Sequence, residues 1–170
     1  MYPEPSTKPG ILPNVKNDSR RTKRMTVSIR RKSRELALQS LYQSEMSDTP
    51  AAETFDILCR HFDVNRKAKG YAHELVKGTL SHKHDIDAQI EKYSRQWRIE
   101  RMSIIDRNIL RIAIFEMCHG EIVPANVVIN EALEISKRFS TDDAASFING
   151  ILDAIAEKMD LQLNEQRGTE

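Results

Sequence analysis

From Ser28 to about Leu163, apolar residues recur every three or four positions, the spacing that lines them along one face of an α-helix. The first such stretch starts at Ser28 or Ile29 and runs to Ser47, with Ala37, Leu38, Leu41 and the aliphatic part of Tyr42 on its apolar face. Asp48-Thr49-Pro50 is a turn and helix-start signal, and a second helix follows through Phe55, Leu58, Cys59 and Phe62. The spacing predicts a third helix over 65–80, with Ala68, Ala72, Leu75, Val76 and Thr79 facing inward. A fourth is expected over 81–97 along Ile86, Ile90, Tyr93 and Trp97.

The most apolar segment is 104–117, where polar groups occupy a single strip. A helix of that kind belongs in the middle of a bundle. Its isoleucines would also suit a strand, but its length, its lack of strict alternation and the absence of a partner strand favour a helix. Pro124 opens the next helix where its missing N–H costs little, and Val128, Ala132, Ile135 and Phe139 mark the buried stripe. Ser140 or Thr141 caps the last helix, with Asp142 and Asp143 in its first turn and Ala144, Ile148, Ile151, Ile155 and Met159 along its stripe. Gly150 sits inside that helix at a cost near 1 kcal/mol relative to Ala, which suggests close contact with another helix. The pattern predicts an all-α, single-domain bundle of six to seven helices.

Composition adds boundaries to this picture. Prolines cluster in the first thirteen residues, and residues 1–27 carry Pro, Ser, Asn and Lys/Arg with few large apolar side chains. Such a segment buries too little to offset its ordering entropy, so 1–27 is expected to be a disordered basic extension. The helical domain is expected over 28–160, followed by a frayed tail over 161–170. No internal repeat is visible.

A formal net charge of +1 hides a strong asymmetry. Ten of the 26 Lys and Arg (Lys8, Lys16, Arg20, Arg21, Lys23, Arg24, Arg30, Arg31, Lys32 and Arg34) fall within residues 1–34, against only Glu4 and Asp18. The body is left with 16 basic and 23 acidic residues. A basic arm on an acidic body suits contact with a polyanion at one end and a basic partner elsewhere. Arg30, Arg31 and Arg34 also sit in the first turns of a helix, where cations oppose the macrodipole. Local helix stability does not explain them, so their placement points to a ligand.

Chemistry is otherwise sparse. No apolar run approaches the ~18 residues of a membrane span, and the N-terminus lacks the apolar core of a secretory signal, so the cytosol is the expected compartment. Cys59 and Cys118 lie in helical patterns without CxxC spacing and read as reduced, buried thiols. His82, His84 and Asp85 do not make a metal site, because i and i+2 on a helix face apart. There is no Gly-rich phosphate loop, GxSxG or HExxH, and no catalytic constellation, so neither an enzyme nor a cofactor is expected.

Two segments resemble the NusB family. One is Arg30-Arg31-Lys32-Ser33-Arg34-Glu35-Leu36-Ala37-Leu38-Gln39-Ser40-Leu41-Tyr42, an arginine-rich helix start followed by an Arg-Glu pair, an Ala, a Gln and a Leu-Tyr. The other begins at Asp106-Arg107, with Ile109-Leu110-Arg111-Ile112-Ala113 and Phe115-Glu116. It continues through Val123-Pro124, Val128-Ile129-Asn130-Glu131-Ala132, Lys137-Arg138-Phe139 and Phe147-Ile148-Asn149-Gly150-Ile151-Leu152-Asp153. The order and spacing of these blocks are similar to the family over about residues 28–158, with some 25 extra residues ahead of the arginine turn.

The resemblance implies a transcription antitermination factor. It would pair with the ribosomal protein NusE, bind boxA in nascent ribosomal RNA and help RNA polymerase read through terminators. By the same resemblance Arg30, Arg31, Lys32 and Arg34, with Asp143 and Phe147, would contact RNA. Tyr42, Glu100 and Asp106 would face NusE.

Physical chemistry supports those roles to different degrees. The cations supply counterion release on phosphate binding. Phe147, rotated about 100° from the stripe residue Ile148, is a candidate surface for an unstacked base, although on pattern alone it serves equally as a core aromatic. Asp143 either accepts from an exocyclic amine or simply opens its helix. An acidic patch facing a basic ribosomal protein is electrostatically sensible. Asn130 and Glu131, between apolar neighbours, are expected to satisfy buried hydrogen bonds. Two alternatives remain at this stage: a protein-interaction adaptor whose arm binds nothing specific, and the isolated NusB-like domain of a ribosomal RNA cytosine methyltransferase. The oligomeric state, including a homodimer that covers the arginine turn, is left open.

Overall fold

The computed structural model describes residues 19–95, 97–120 and 123–167. Seven α-helices account for most of them: α1 (Ser19–Ser47), α2 (Ala51–His61), α3 (Arg66–Ser81), α4 (Lys83–Ser94), α5 (Ile104–Cys118), α6 (Ala125–Phe139) and α7 (Asp142–Arg167). A single 3-10 turn, Ile99–Arg101, precedes α5. This is the helical bundle that the periodicity predicts, with no strand among the described residues.

Helix α5 is the axle. Every residue from Asn108 to Glu116 is buried, and the helix packs against α1, α3, α4, α6 and α7. Leu110 and Ile114 are fully enclosed together with Phe55 of α2, Leu75 of α3, Ile86 and Ile90 of α4, and Ile148, Leu152 and Ile155 of α7. Burial of each such side chain contributes about 1.5–3 kcal/mol. Ser103 caps α5, its hydroxyl accepting from the Asp106 N–H at 3.0 Å. Asn65 does the same for α3, accepting from the Lys67 N–H at 2.9 Å.

Several expectations are corrected. Helix α1 begins at Ser19, nine residues ahead of the predicted start; residues 1–18 lie outside the described residues. The physical reason is that Arg, Lys and Met are good helix formers and no Pro or Gly intervenes between Pro13 and Pro50. Once packing nucleates the helix downstream, each added residue is inexpensive. At the other end α7 continues to Arg167, beyond the expected fraying after 160, and 168–170 lie outside the described residues.

Two aromatics assigned to buried stripes are exposed: Phe62 (58%) and Trp97 (54%). Helix α2 stops at His61, and Phe62 adopts an extended backbone as its C-cap. Helix α4 stops at Ser94 because Arg95 turns into the left-handed region, with φ of 50°. Trp97 therefore leaves the helical stripe on which its spacing had placed it. Asn130 is exposed rather than buried, whereas Glu131 is buried and paired. Gly150 is exposed, and an added Cβ there would meet nothing within 4 Å, so it does not mark a helix crossing.

A charged cluster joins α1, α4 and α5. Arg107 Nε donates to Glu45 at 3.0 Å, Asn108 Nδ2 and Arg111 donate to its other oxygen at 2.9 and 2.8 Å, and Arg111 also grips Asp87 at 2.7 and 2.9 Å. Partial burial pushes the Glu45 carboxyl up, but the hydrogen bonds from Arg107 and Asn108 and the charges of Arg111 and Arg107 outweigh it, so its pKa lies below 4.5. A carboxyl lowered in the folded state stabilises the fold above its unfolded pKa, and that contribution is lost as pH falls through the folded value. In urea unfolding across a pH series, wild type should therefore exceed Glu45→Gln in stability at neutral pH. The gap should close as pH drops below 4.5 and through the lower folded value. A gap that stays constant to pH 2 would refute this account.

Candidate nucleic-acid interface

The predicted arginine turn is present, but its members have different fates. Lys32 is exposed. Arg30 stacks its guanidinium 5.0 Å above the Tyr71 ring. Arg31 makes a two-pronged pair with Glu131 of α6, at 2.9 and 2.7 Å, while its side chain remains 38% exposed. Arg34 is only 4% exposed and holds Glu116 of α5 at 2.8 and 2.5 Å, with a longer contact of 3.4 Å to Glu131. The Tyr71 hydroxyl donates to the same Glu116 oxygen, Oε1, that Arg34 Nη2 holds.

This arrangement leaves the Arg34 guanidinium little surface for the RNA contact that the resemblance implies. Its donors are turned inward, because Glu116 is itself buried and needs a cation. Burial works against the charge of Arg34, and the hydrogen bonds and charge of Glu116 more than restore it. Tyr71 is held as a neutral donor, its pKa raised by burial and then by Glu116. The cluster fastens α1 to α3, α5 and α6, and so sets the angle at which Lys32 and the outer edge of Arg31 meet solvent. Arg34 is a positioning residue.

Two of the remaining expected residues, Tyr42 and Asp106, lie toward the opposite end of α5. Arg138, in the last turn of α6, donates to both oxygens of Glu35 on α1 at 2.8 Å. Ser140, which follows that helix, donates to Asp106 in the first turn of α5 at 2.5 Å. These two links bring the ends of α6 and α5 to the middle of α1, where Tyr42 is 36% exposed one turn before Glu45. Tyr42 and Asp106 thus share a side of the molecule, and Met46, one turn beyond Tyr42, adds an apolar surface that is 57% exposed. Nothing in the sequence reading singled out Met46. Glu100 stands apart from them, in the 3-10 turn, lining an open hollow with Glu91, Ser94, Arg95, Trp97 and Arg98.

At the start of α7, Asp143 is exposed and Phe147, one turn later on the same face, is half-buried. The Phe147 ring meets the exposed Trp97 edge-on, with centroids 6.4 Å apart and planes at 69°. Sequence reasoning left Phe147 open between surface and core and put Trp97 on a helical stripe; the tertiary structure makes them one aromatic corner. The available signal was the density of charge around Trp97, in Arg95, Arg98, Glu100 and Arg101, which does not suit a buried stripe.

No group of three or more His, Cys, Asp or Glu among the described residues is placed to hold a metal. His84 and Asp85 are solvated, and His82 stacks on His119 with ring centroids 4.1 Å apart. Both cysteines are free. No helix of the described residues is long and apolar enough to cross a membrane.

Comparison with known proteins bears directly on this geometry. The transcription antitermination protein NusB of Desulfotalea psychrophila is 47% identical over 135 residues, covering 76% of this chain and 96% of the relative. Among solved structures, NusB of T. maritima superimposes with a TM-score of 0.70 at 34% identity, covering 75% of this chain and 90% of that one. A chain from the crystal structure of antitermination factors NusB and NusE in complex with dsRNA superimposes with a TM-score of 0.71 at 26% identity, covering 77% of this chain and 98% of that one. The NusB family pattern itself matches residues 31–157, from the arginine turn of α1 to the middle of α7, and the chain belongs to the NusB family.

Proposed function

We propose that this protein is a transcription antitermination factor that acts in the bacterial cytoplasm, joins NusE and binds boxA RNA in nascent ribosomal transcripts. The observation that carries the reading is family membership over 31–157, together with a solved relative's assembly with NusE and RNA. RNA meets the cations of the α1 start, half-buried Arg30 and Arg31 and exposed Lys32, and then the α7 start at Asp143 and Phe147. NusE meets the face that carries Tyr42, Met46 and Asp106, with Glu100 contributing charge from the 3-10 turn. An exposed Tyr and Met beside carboxylates suit a basic protein partner, since aromatic and Met side chains anchor while the charges steer. The D. psychrophila relative is matched along 96% of its own length, so it is not a domain of a longer enzyme, which weighs against the methyltransferase alternative.

The test is RNA binding by the full chain with and without NusE, at two salt concentrations, using boxA and scrambled RNA. NusE should tighten binding to boxA selectively. Replacing Arg31 and Lys32 by Ala should weaken binding to both RNAs and make the salt slope shallower, by ~0.7 per lost phosphate contact on a single strand. Equal affinity for both RNAs under every condition would instead favour an adaptor with a non-specific arm.

A further inference from the structure

Trp97 is the single tryptophan of the chain and one of its most exposed large apolar side chains, at 54%. A lone exposed aromatic would need no explanation, but three features set this one apart. Its loop is fastened: Ser94 Oγ donates to the Trp97 carbonyl at 2.6 Å, and the neighbouring Ile99 and Met102 are buried, so the indole is presented from an anchored base. Its ring is backed by Phe147 at 69°, so one wall of a corner is already filled by a half-buried aromatic and the indole supplies the open wall. Finally, Arg95 and Arg98 beside it are exposed and form no ion pair among the described residues, unlike Arg31, Arg34, Arg107, Arg111 and Arg138.

Exposed guanidinium groups beside an open aromatic face are the elements of a single-strand binding site, in which cations hold phosphates and a ring stacks on a base. The hollow they line is open to solvent and mostly polar, the form of a groove that a single strand crosses. Glu91 on its rim is an acceptor for exocyclic amines. We propose that Trp97 is the base-stacking platform of this protein, with Phe147 as its backing wall and Arg95 and Arg98 as phosphate contacts, and that its ligand is an unpaired base of single-stranded RNA. The proposal rests on the RNA-binding reading above and moves the principal stacking contact from Phe147 to Trp97.

The single tryptophan makes a direct test possible. Intrinsic fluorescence of the full chain with NusE is titrated with single-stranded boxA RNA, while binding is followed independently by polarisation of a labelled RNA. Emission should be quenched in step with binding, and less so by the same RNA annealed to its complement. Trp97→Ala should weaken the affinity about 5- to 150-fold, the loss of one stacked base. Trp97→Phe should retain most of the affinity, and Phe147→Leu should cost less than Trp97→Ala, with helicity by circular dichroism unchanged in each.

Binding by polarisation with unchanged emission and an unaffected Trp97→Ala variant would overturn this inference and leave the functional reading intact. Quenching by NusE alone, with no further change on adding RNA, would overturn it by assigning Trp97 to the protein partner. Failure to bind RNA at all in the presence of NusE would overturn both.

Discussion

Arg34→Ala should be among the most damaging single substitutions in the chain, lowering stability by about 3–5 kcal/mol, because it leaves Glu116 as a buried charge without its cation. For a protein of this size that corresponds to a fall in melting temperature on the order of 10 °C. The loss comes from the abandoned partner rather than from the pair's own strength, so a double substitution should recover part of it. Arg34→Met with Glu116→Gln should be more stable than Arg34→Met alone, as read from denaturant midpoints. If the double variant is the less stable of the two, Glu116 is not the group that suffers. The same reasoning warns against using Arg34 to probe RNA contact, since a weakened fold and a lost phosphate contact would both reduce binding. Arg31 and Lys32 are the informative positions.

The second large effect concerns two helical glycines with opposite expected signs. A Cβ on Gly78 of α3 would lie 1.9 to 2.6 Å from ring atoms of Phe115, whose ring is packed beside His82 and His119. Gly78→Ala should therefore destabilise by about 1–3 kcal/mol, the cost of forcing a packed core side chain aside. Gly150 of α7 is exposed with open space around it, and Gly150→Ala should stabilise by about 0.5–1 kcal/mol through the reduced entropy of the unfolded chain. Equilibrium unfolding of the two variants side by side checks both. A stabilised Gly78→Ala would mean that Phe115 yields more readily than its burial implies.

These glycines show where sequence reading stopped. Periodicity placed α5 at the centre and recovered the inward faces of α3, α6 and α7, because a stripe repeated every three or four residues is a property of the local chain. It read Gly150 as a close helix crossing and had nothing to say about Gly78, because which helix lies across from a glycine is not encoded in the glycine's neighbours. Trp97 failed for a related reason. Its spacing from Tyr93 continues the α4 stripe only if the helix continues, and the helix ends where Arg95 turns to positive φ.

The arginine turn makes the same division clear. Arg30, Arg31, Lys32 and Arg34 were legible as a cluster at a helix start, where cations work against the helix dipole and so ask for a reason. Sequence alone determined the all-α architecture, the central helix, the basic character of the leading segment and the family resemblance, since each is written in composition, order or short-range spacing. Only the tertiary structure decided which cations face outward. It brought Glu116 and Glu131, 82 and 100 residues away from their partners, against Arg34 and Arg31, and it joined Trp97 to Phe147 across two helices. A charge can be counted from the chain, but whether it is spent inside the fold or left for a ligand depends on contacts between segments far apart in it.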